Sequence, residues 1–108
     1  MTYKKTQDFD KDFQEIATYA RILSHPARIA ILSYLAKTNS CISGDITNEI
    51  PLSRTTVSQH LQELKKAELI TGEIDGVKIC YCINSQTMKK CTDLFGKLFK
   101  NITKTKCC

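Results

Sequence analysis

The 108-residue chain predicts a mostly α single domain carrying a β-hairpin, with elements in the order H-H-H-H-E-E-H. Three observations carry that prediction. Apolar residues recur at helical spacing through the first part of the chain and again near its C-terminal end. A short break at Pro51-Leu52-Ser53 forces the helices on either side of it to cross. An Asp-Gly pair, Asp75-Gly76, divides two runs rich in β-favouring residues.

Residues 1–8 are polar and expected to fray, as are residues from about 103 to 108; the remainder forms one domain. From Phe9 the apolar positions Phe13, Ile16, Ala17, Ala20 and Leu23 mark a first helix. His25-Pro26 interrupts it, because the residue before a proline avoids the α region while proline itself suits a first helical turn. A second helix therefore starts near Pro26, with Ala27, Ile29, Ala30, Ile31, Leu32 and Leu35 as its apolar positions, and ends at Thr38-Asn39-Ser40. A short third helix follows Ser43 and carries Asp45, Ile46, Glu49 and Ile50 until Pro51 stops it. Ser53 is placed to cap the fourth, whose apolar positions are Val57, Leu61 and Leu64.

After Ala67 the period changes from helical to alternating. Leu69–Ile74 and Val77–Ile83 read as strands joined at Asp75-Gly76, a pair that tolerates the positive φ angles of a tight hairpin turn. On the second strand Val77, Ile79, Tyr81 and Ile83 share one face, and Lys78, Cys80, Cys82 and Asn84 the other. Met88, Cys91, Leu94, Phe95, Leu98, Phe99 and Ile102 then describe a long amphipathic helix.

Composition bounds the partners. No apolar run approaches the ~20 residues needed to span a bilayer. The opening Met1-Thr2-Tyr3-Lys4-Lys5, followed by Asp8 and Asp10, lacks the apolar core of a secretion signal, so a cytoplasmic protein with no membrane partner is expected. The formal net charge is +5, and residues 85–108 supply all of it, with six lysines against Asp93. Global charge therefore does not mark a nucleic-acid surface by itself.

The segment Ser53-Arg54-Thr55-Thr56-Val57-Ser58-Gln59-His60-Leu61 carries the functional signal. Val57 and Leu61 hold this helix to the core. Arg54, Thr55, Thr56, Ser58, Gln59 and His60 are short or planar hydrogen-bonding groups on its other faces. Serine and threonine reach phosphates, while Arg54 and Gln59 can pair with base edges in a major groove. Lys78 on the hairpin would lie beside the adjacent minor groove or backbone. A winged helix-turn-helix with a double-stranded DNA partner is therefore expected. No Gly-rich phosphate loop or catalytic motif frames either histidine, so an enzyme is not expected.

The joint pattern of His25-Pro26-Ala27-Arg28-Ile29, Gly44-Asp45-Ile46, Thr56-Val57-Ser58-Gln59-His60-Leu61, Leu69-Ile70 and Gly76-Val77-Lys78 resembles the arsenic-repressor (ArsR/SmtB) family, in order from about residue 14 to 84. The resemblance implies a homodimeric repressor that binds a pseudo-palindromic operator and releases it when an inducer binds. It also implies that the first and last helices form the dimer interface. The apolar faces on residues 9–23 and 88–102 fit that role independently, since so small a core cannot cover both.

Six cysteines in a small cytoplasmic chain favour metal, metalloid or redox chemistry over a disulfide framework. The final-helix zinc site of the family uses Asp and His pairs, whereas this helix has no histidine and Asp93 stands alone. The family's paired cysteines opening the third helix are reduced here to Cys41, in Cys41-Ile42-Ser43-Gly44-Asp45-Ile46. Cys107 and Cys108 remain, beside Lys104 and Lys106, which favour thiolates. Soft thiolates suit arsenite or antimonite, As(III) or Sb(III), and Cys91 is the first candidate for the third sulfur that trivalent arsenic takes. Cys80 and Cys82 share a strand face and are expected to be idle. The alternatives are a repressor that responds to oxidation of Cys107, Cys108 or Cys91, and an effector-blind DNA-binding protein. A thiol reductase is disfavoured by the absence of any Cys-x-x-Cys motif.

Overall fold

A computed structural model describes residues 8–38, 42–43, 50–75 and 78–106, with backbone alone at 42–43, 73–75 and 78–79. The first helix, α1 (Lys11–Ile22), starts where Asp10 caps it, its Oδ1 accepting the Asp12 N–H at 2.8 Å. α2 (Pro26–Thr38) opens on its proline as expected, and the His25 carbonyl accepts the Arg28 and Ile29 N–H groups at 3.0 and 3.2 Å. Its buried residues are Ile31, Leu32 and Leu35, whereas Ile29 is 48% exposed. The helix is apolar around much of its girth, so periodicity alone could not say which apolar side faces the core.

A strand that the sequence pattern does not announce follows. β1 (Ile42–Ser43) pairs antiparallel with β3 (Lys78–Ile83), setting Ile42 opposite Tyr81 and Ser43 opposite Cys80. Two residues are too few to display an alternating pattern, and the pairing covers an edge of β3 that a bare hairpin would leave open. The sheet is therefore three-stranded, in the order β1-β3-β2, with β2 spanning Ile70–Asp75. The short helix expected around Asp45, Ile46 and Glu49 lies outside the described residues, as does Cys41. Ile50, which was expected to close that helix, is buried.

α3 (Arg54–Lys66) begins at Ser53 as expected and ends on a motif without glycine. The Leu69 N–H donates to the Leu64 carbonyl at 3.0 Å and the Glu68 N–H to the Lys65 carbonyl at 2.9 Å, with Glu68 left-handed at φ 65°. This double bond pattern satisfies the last carbonyls of the helix, and buried Leu69 and Leu64 supply the apolar contact that accompanies it. β2 and β3 then pair from Ile70↔Ile83 to Asp75↔Lys78, so the connection comprises residues 76–77, one position later than the expected Asp75-Gly76. Those two residues lie outside the described set. Gly72 faces Tyr81 across the pair, and a Cβ at position 72 would sit 2.9 Å from the tyrosine Cε1. The glycine is what lets the ring lie over the strand.

α4 (Ser85–Thr103) is capped by Asn84, whose Oδ1 accepts the Thr87 N–H at 3.4 Å while its own N–H donates to the Leu69 carbonyl at 3.0 Å. One residue thus joins the sheet to the last helix. α4 packs on α1, and at their surface Lys90 Nζ meets Glu15 Oε2 at 3.0 Å, which holds the exposed lysine above its usual pKa. The core is one cluster built from Ile31, Leu32 and Leu35 of α2, Val57, Leu61 and Leu64 of α3, and Ile50, Leu69 and Ile70 beside them. Tyr19, Ile22, Leu23, Tyr81, Ile83 and Met88 pack around its rim.

Candidate nucleic-acid interface

The geometry of α3 separates anchoring from display. Val57, Leu61 and Leu64 are buried to 5% exposure or less and fix the helix against α2 and the sheet. Arg54, Thr55, Ser58, Gln59 and Gln62 are all exposed. At 3.6 residues per turn these positions, spaced four apart in two adjacent rows, make one continuous polar stripe. Thr56 is half-buried because it belongs to the cap: Ser53 Oγ accepts the Thr56 N–H at 3.2 Å and donates to Thr56 Oγ1 at 2.9 Å. The helix N-terminus, its cap and Arg54 are presented together at an exposed end of the molecule, a combination suited to an anionic partner.

Gln62 is the residue that the sequence reading passed over. Its signal was present in the helical repeat, one turn beyond Ser58 on the same row. Lys65 and Lys66, also exposed, extend basic charge to the end of the helix.

His60 sits differently from its neighbours. It is half-buried, and its Nδ1 accepts a hydrogen bond from Arg28 Nε at 3.1 Å. The rings of His60 and His25 lie 5.4 Å apart, tilted by 47°. Desolvation, then the Arg28 charge, then His25 push the His60 pKa below its ordinary 6.5. The backbone register sets Lys78 opposite Asp75, at the end of the hairpin farthest from the core pair Ile70↔Ile83.

The cysteines divide among different environments. Cys91 is buried on α4, and burial pushes its thiol pKa up, the reverse of what a ready metal ligand needs. Cys80 is a free, half-buried thiol. Cys82 was expected to be a thiol and is instead disulfide-bonded. With Cys80 free, that bond is not the strained link between neighbours on one strand. Cys107 and Cys108 lie outside the described residues. Among the described residues no group of three His, Cys, Asp or Glu side chains could hold a metal ion, and no helix is long and apolar enough to cross a membrane.

Comparison with known proteins agrees with this geometry. Residues 25–71, which run from the start of α2 into β2, match the family described as "Bacterial regulatory protein, arsR family". The chain is 31% identical over 74 residues to the arsenical resistance operon repressor of Staphylococcus xylosus, covering 68% of this chain and 70% of that protein. It is 29% identical over 75 residues to the HTH-type transcriptional regulator YgaV of Escherichia coli, covering 69% and 76% respectively. An ArsR-like transcriptional regulator from Rhodococcus sp. RHA1 superposes with a TM-score of 0.67 at 20% identity, over 85% of this chain and 86% of that one, a likeness of fold.

Proposed function

Because the chain belongs to the ArsR family of bacterial regulatory proteins, DNA-binding transcriptional repressors and not enzymes, we propose that it acts as a homodimer reading a pseudo-palindromic operator. The observation that carries this is the exposed polar stripe of α3, rigidly mounted by Val57, Leu61 and Leu64. Arg54 and Gln59 read base edges. Ser53, Thr55, Thr56 and Ser58 serve phosphates, His60 helps to position the helix, and Lys78 on the hairpin adds a contact beside the groove. The α1 and α4 surfaces supply the dimer interface, since Phe9, Phe13, Phe99 and Ile102 all stand more than half exposed in the single chain.

The inducer in this reading is a soft, thiol-binding trivalent metalloid, arsenite or antimonite. Its support is the adjacent pair Cys107 and Cys108 beside exposed Lys104 and Lys106, together with the name of the Staphylococcus xylosus relative. Cys91 supplies the third sulfur, and its burial means that loading must expel the thiol proton and loosen α4. The site therefore couples metal binding to the helix that the dimer uses. The test is a gel shift on the DNA upstream of its own gene, with and without arsenite, zinc, cadmium and peroxide. Arsenite should release wild type, whereas the paired Cys107→Ser, Cys108→Ser variant should hold its DNA in arsenite. Release of that variant at the wild-type arsenite concentration would place sensing elsewhere.

One observation favours a second reading, a redox-responsive repressor of the same fold. Cys82 is disulfide-bonded while Cys80 and Cys91 are free. Two thiols forming such a bond lose two protons and two electrons, which a peroxide accepts as it is reduced to water. Release of the wild type by peroxide but not by arsenite selects this reading.

A further inference from the structure

The operator-reading stripe gives no task to Arg28, although it stands within the sequence motif His25-Pro26-Ala27-Arg28-Ile29. In the structure its guanidinium makes two contacts. Nε donates to His60 Nδ1 at 3.1 Å, and Nη1 donates to the Ile22 carbonyl at 3.1 Å. One side chain on the first turn of α2 therefore clamps the end of α1 to the middle of α3. A guanidinium has only donors to offer, so the His60 nitrogen facing it must carry a lone pair. That requires a neutral imidazole with its proton on Nε2.

We propose that Arg28 is a positioning residue for the recognition helix, and that the clamp makes operator binding proton-sensitive through His60. Protonation puts a hydrogen on Nδ1, removes the acceptor and sets an imidazolium against the guanidinium. The α2–α3 contact then turns from a hydrogen bond into a repulsion, and α3 loses a fixed point one position beyond Gln59. The groups acting on His60 among the described residues are Arg28 from α2 and His25 from the turn between α1 and α2, and both oppose its charging. Desolvation opposes it further, and no carboxylate among the described residues offsets these effects.

The sign follows. The His60 pKa is held below its ordinary 6.5, so the clamped form binds fewer protons than the unclamped one. The clamp is complete above pH 6.5 and is lost as pH falls through the lowered value. One pH unit below 6.5, this linkage can weaken binding by at most about tenfold. An imidazolium that merely met a phosphate would act in the opposite direction, strengthening binding in acid.

The inference rests on α3 being the operator-reading helix, so the test has one arm with DNA and one without. Without DNA, NMR titration of the two imidazoles should place the His60 midpoint below 6.5 in wild type and move it upward in Arg28→Met. With operator DNA, wild-type affinity should fall several-fold between about pH 7.5 and about pH 5.5. His60→Gln should lose that slope, whatever its absolute affinity, because every other group is common to the two proteins. A His60 midpoint unmoved by Arg28→Met would overturn the clamp. Affinity that is flat or rises in acid, or a His60→Gln variant with the wild-type slope, would overturn its consequence. If Arg28→Met does not fold, the slope of His60→Gln decides alone. Failure of the operator reading itself shows separately, as DNA binding indifferent to Arg54 and Gln59 while the titration arm stands.

Discussion

Gln59 and Arg54 are exposed and take no part in the core, so removing them changes what α3 shows without changing how it is held. A bidentate base contact contributes about 1–3 kcal/mol of discrimination. Gln59→Ala and Arg54→Ala should each weaken specific operator binding by about that amount at matched salt, with thermal unfolding unchanged. Arg54→Ala should also lower the salt dependence, whereas Gln59→Ala should not, because only a cation releases counterions. Wild-type affinity in both variants would remove α3 as the reading element. Ser58 and Gln62 occupy the same stripe and differ in reach, so Gln62→Ala becomes informative only after Gln59 has been tested. His60 belongs to another class of residue: half inside, it joins the displayed surface to the scaffold beneath it.

At the scale of the element, α3 is stopped and started by different kinds of signal. Ser53 Oγ accepts the Thr56 N–H at 3.2 Å, and replacing such a cap by alanine costs about 1 kcal/mol. Ser53→Ala should therefore lower stability by about that much and weaken DNA binding through fraying of the turn that carries Arg54. Denaturant unfolding with an unchanged m-value would check the first part. The cap was legible in the sequence because serine before Arg54 and an apolar repeat at Val57, Leu61 and Leu64 point to the same boundary. The helix end was marked by the change of period after Ala67, but the left-handed stop that makes it was not. Glycine is the usual mark of a left-handed stop, and here Glu68 takes φ 65° because the Leu69 and Leu64 contact and two hydrogen bonds hold it there. β1 was hidden for a related reason, since two residues pair with β3 through backbone bonds that leave no trace in hydrophobic pattern. The exposed polar stripe of α3 was largely legible from polar residue types between core positions. The Arg28–His60 clamp was not, because its partners lie 32 residues apart and meet only when α2 crosses α3.

At the scale of the whole molecule, the chain is more extended than a compact domain of its length. Its radius of gyration is 16.4 Å and its axes span 55 × 31 × 25 Å, whereas a compact domain of this size has a radius of about 13 Å. The 19 residues of α4 run for about 28 Å and end with Phe99 at 55% and Ile102 at 56% exposure. Phe13 on α1 stands at 57% and Phe9, just before the helix, at 61%. These exposed apolar side chains at the α1 and α4 surface are what the proposed dimer would cover with a two-fold copy of the same surface. The proposed dimer therefore makes a sharp demand on Phe99. Because the ring is mostly outside the core, Phe99→Glu should cost the isolated fold little beyond its tilted contact with Phe95 at 6.0 Å. It should, however, bury a charge in the interface, so the variant should sediment as a folded monomer where wild type is a dimer. Wild-type thermal stability should rise with protein concentration and that of the variant should not. Operator binding should fall far more than any single base contact explains, because two half-sites about 10 bp apart or a multiple of that spacing bind tightly only when one dimer presents both α3 helices. A wild type that sediments as a well-folded monomer at micromolar concentration would instead leave these aromatic faces to another partner.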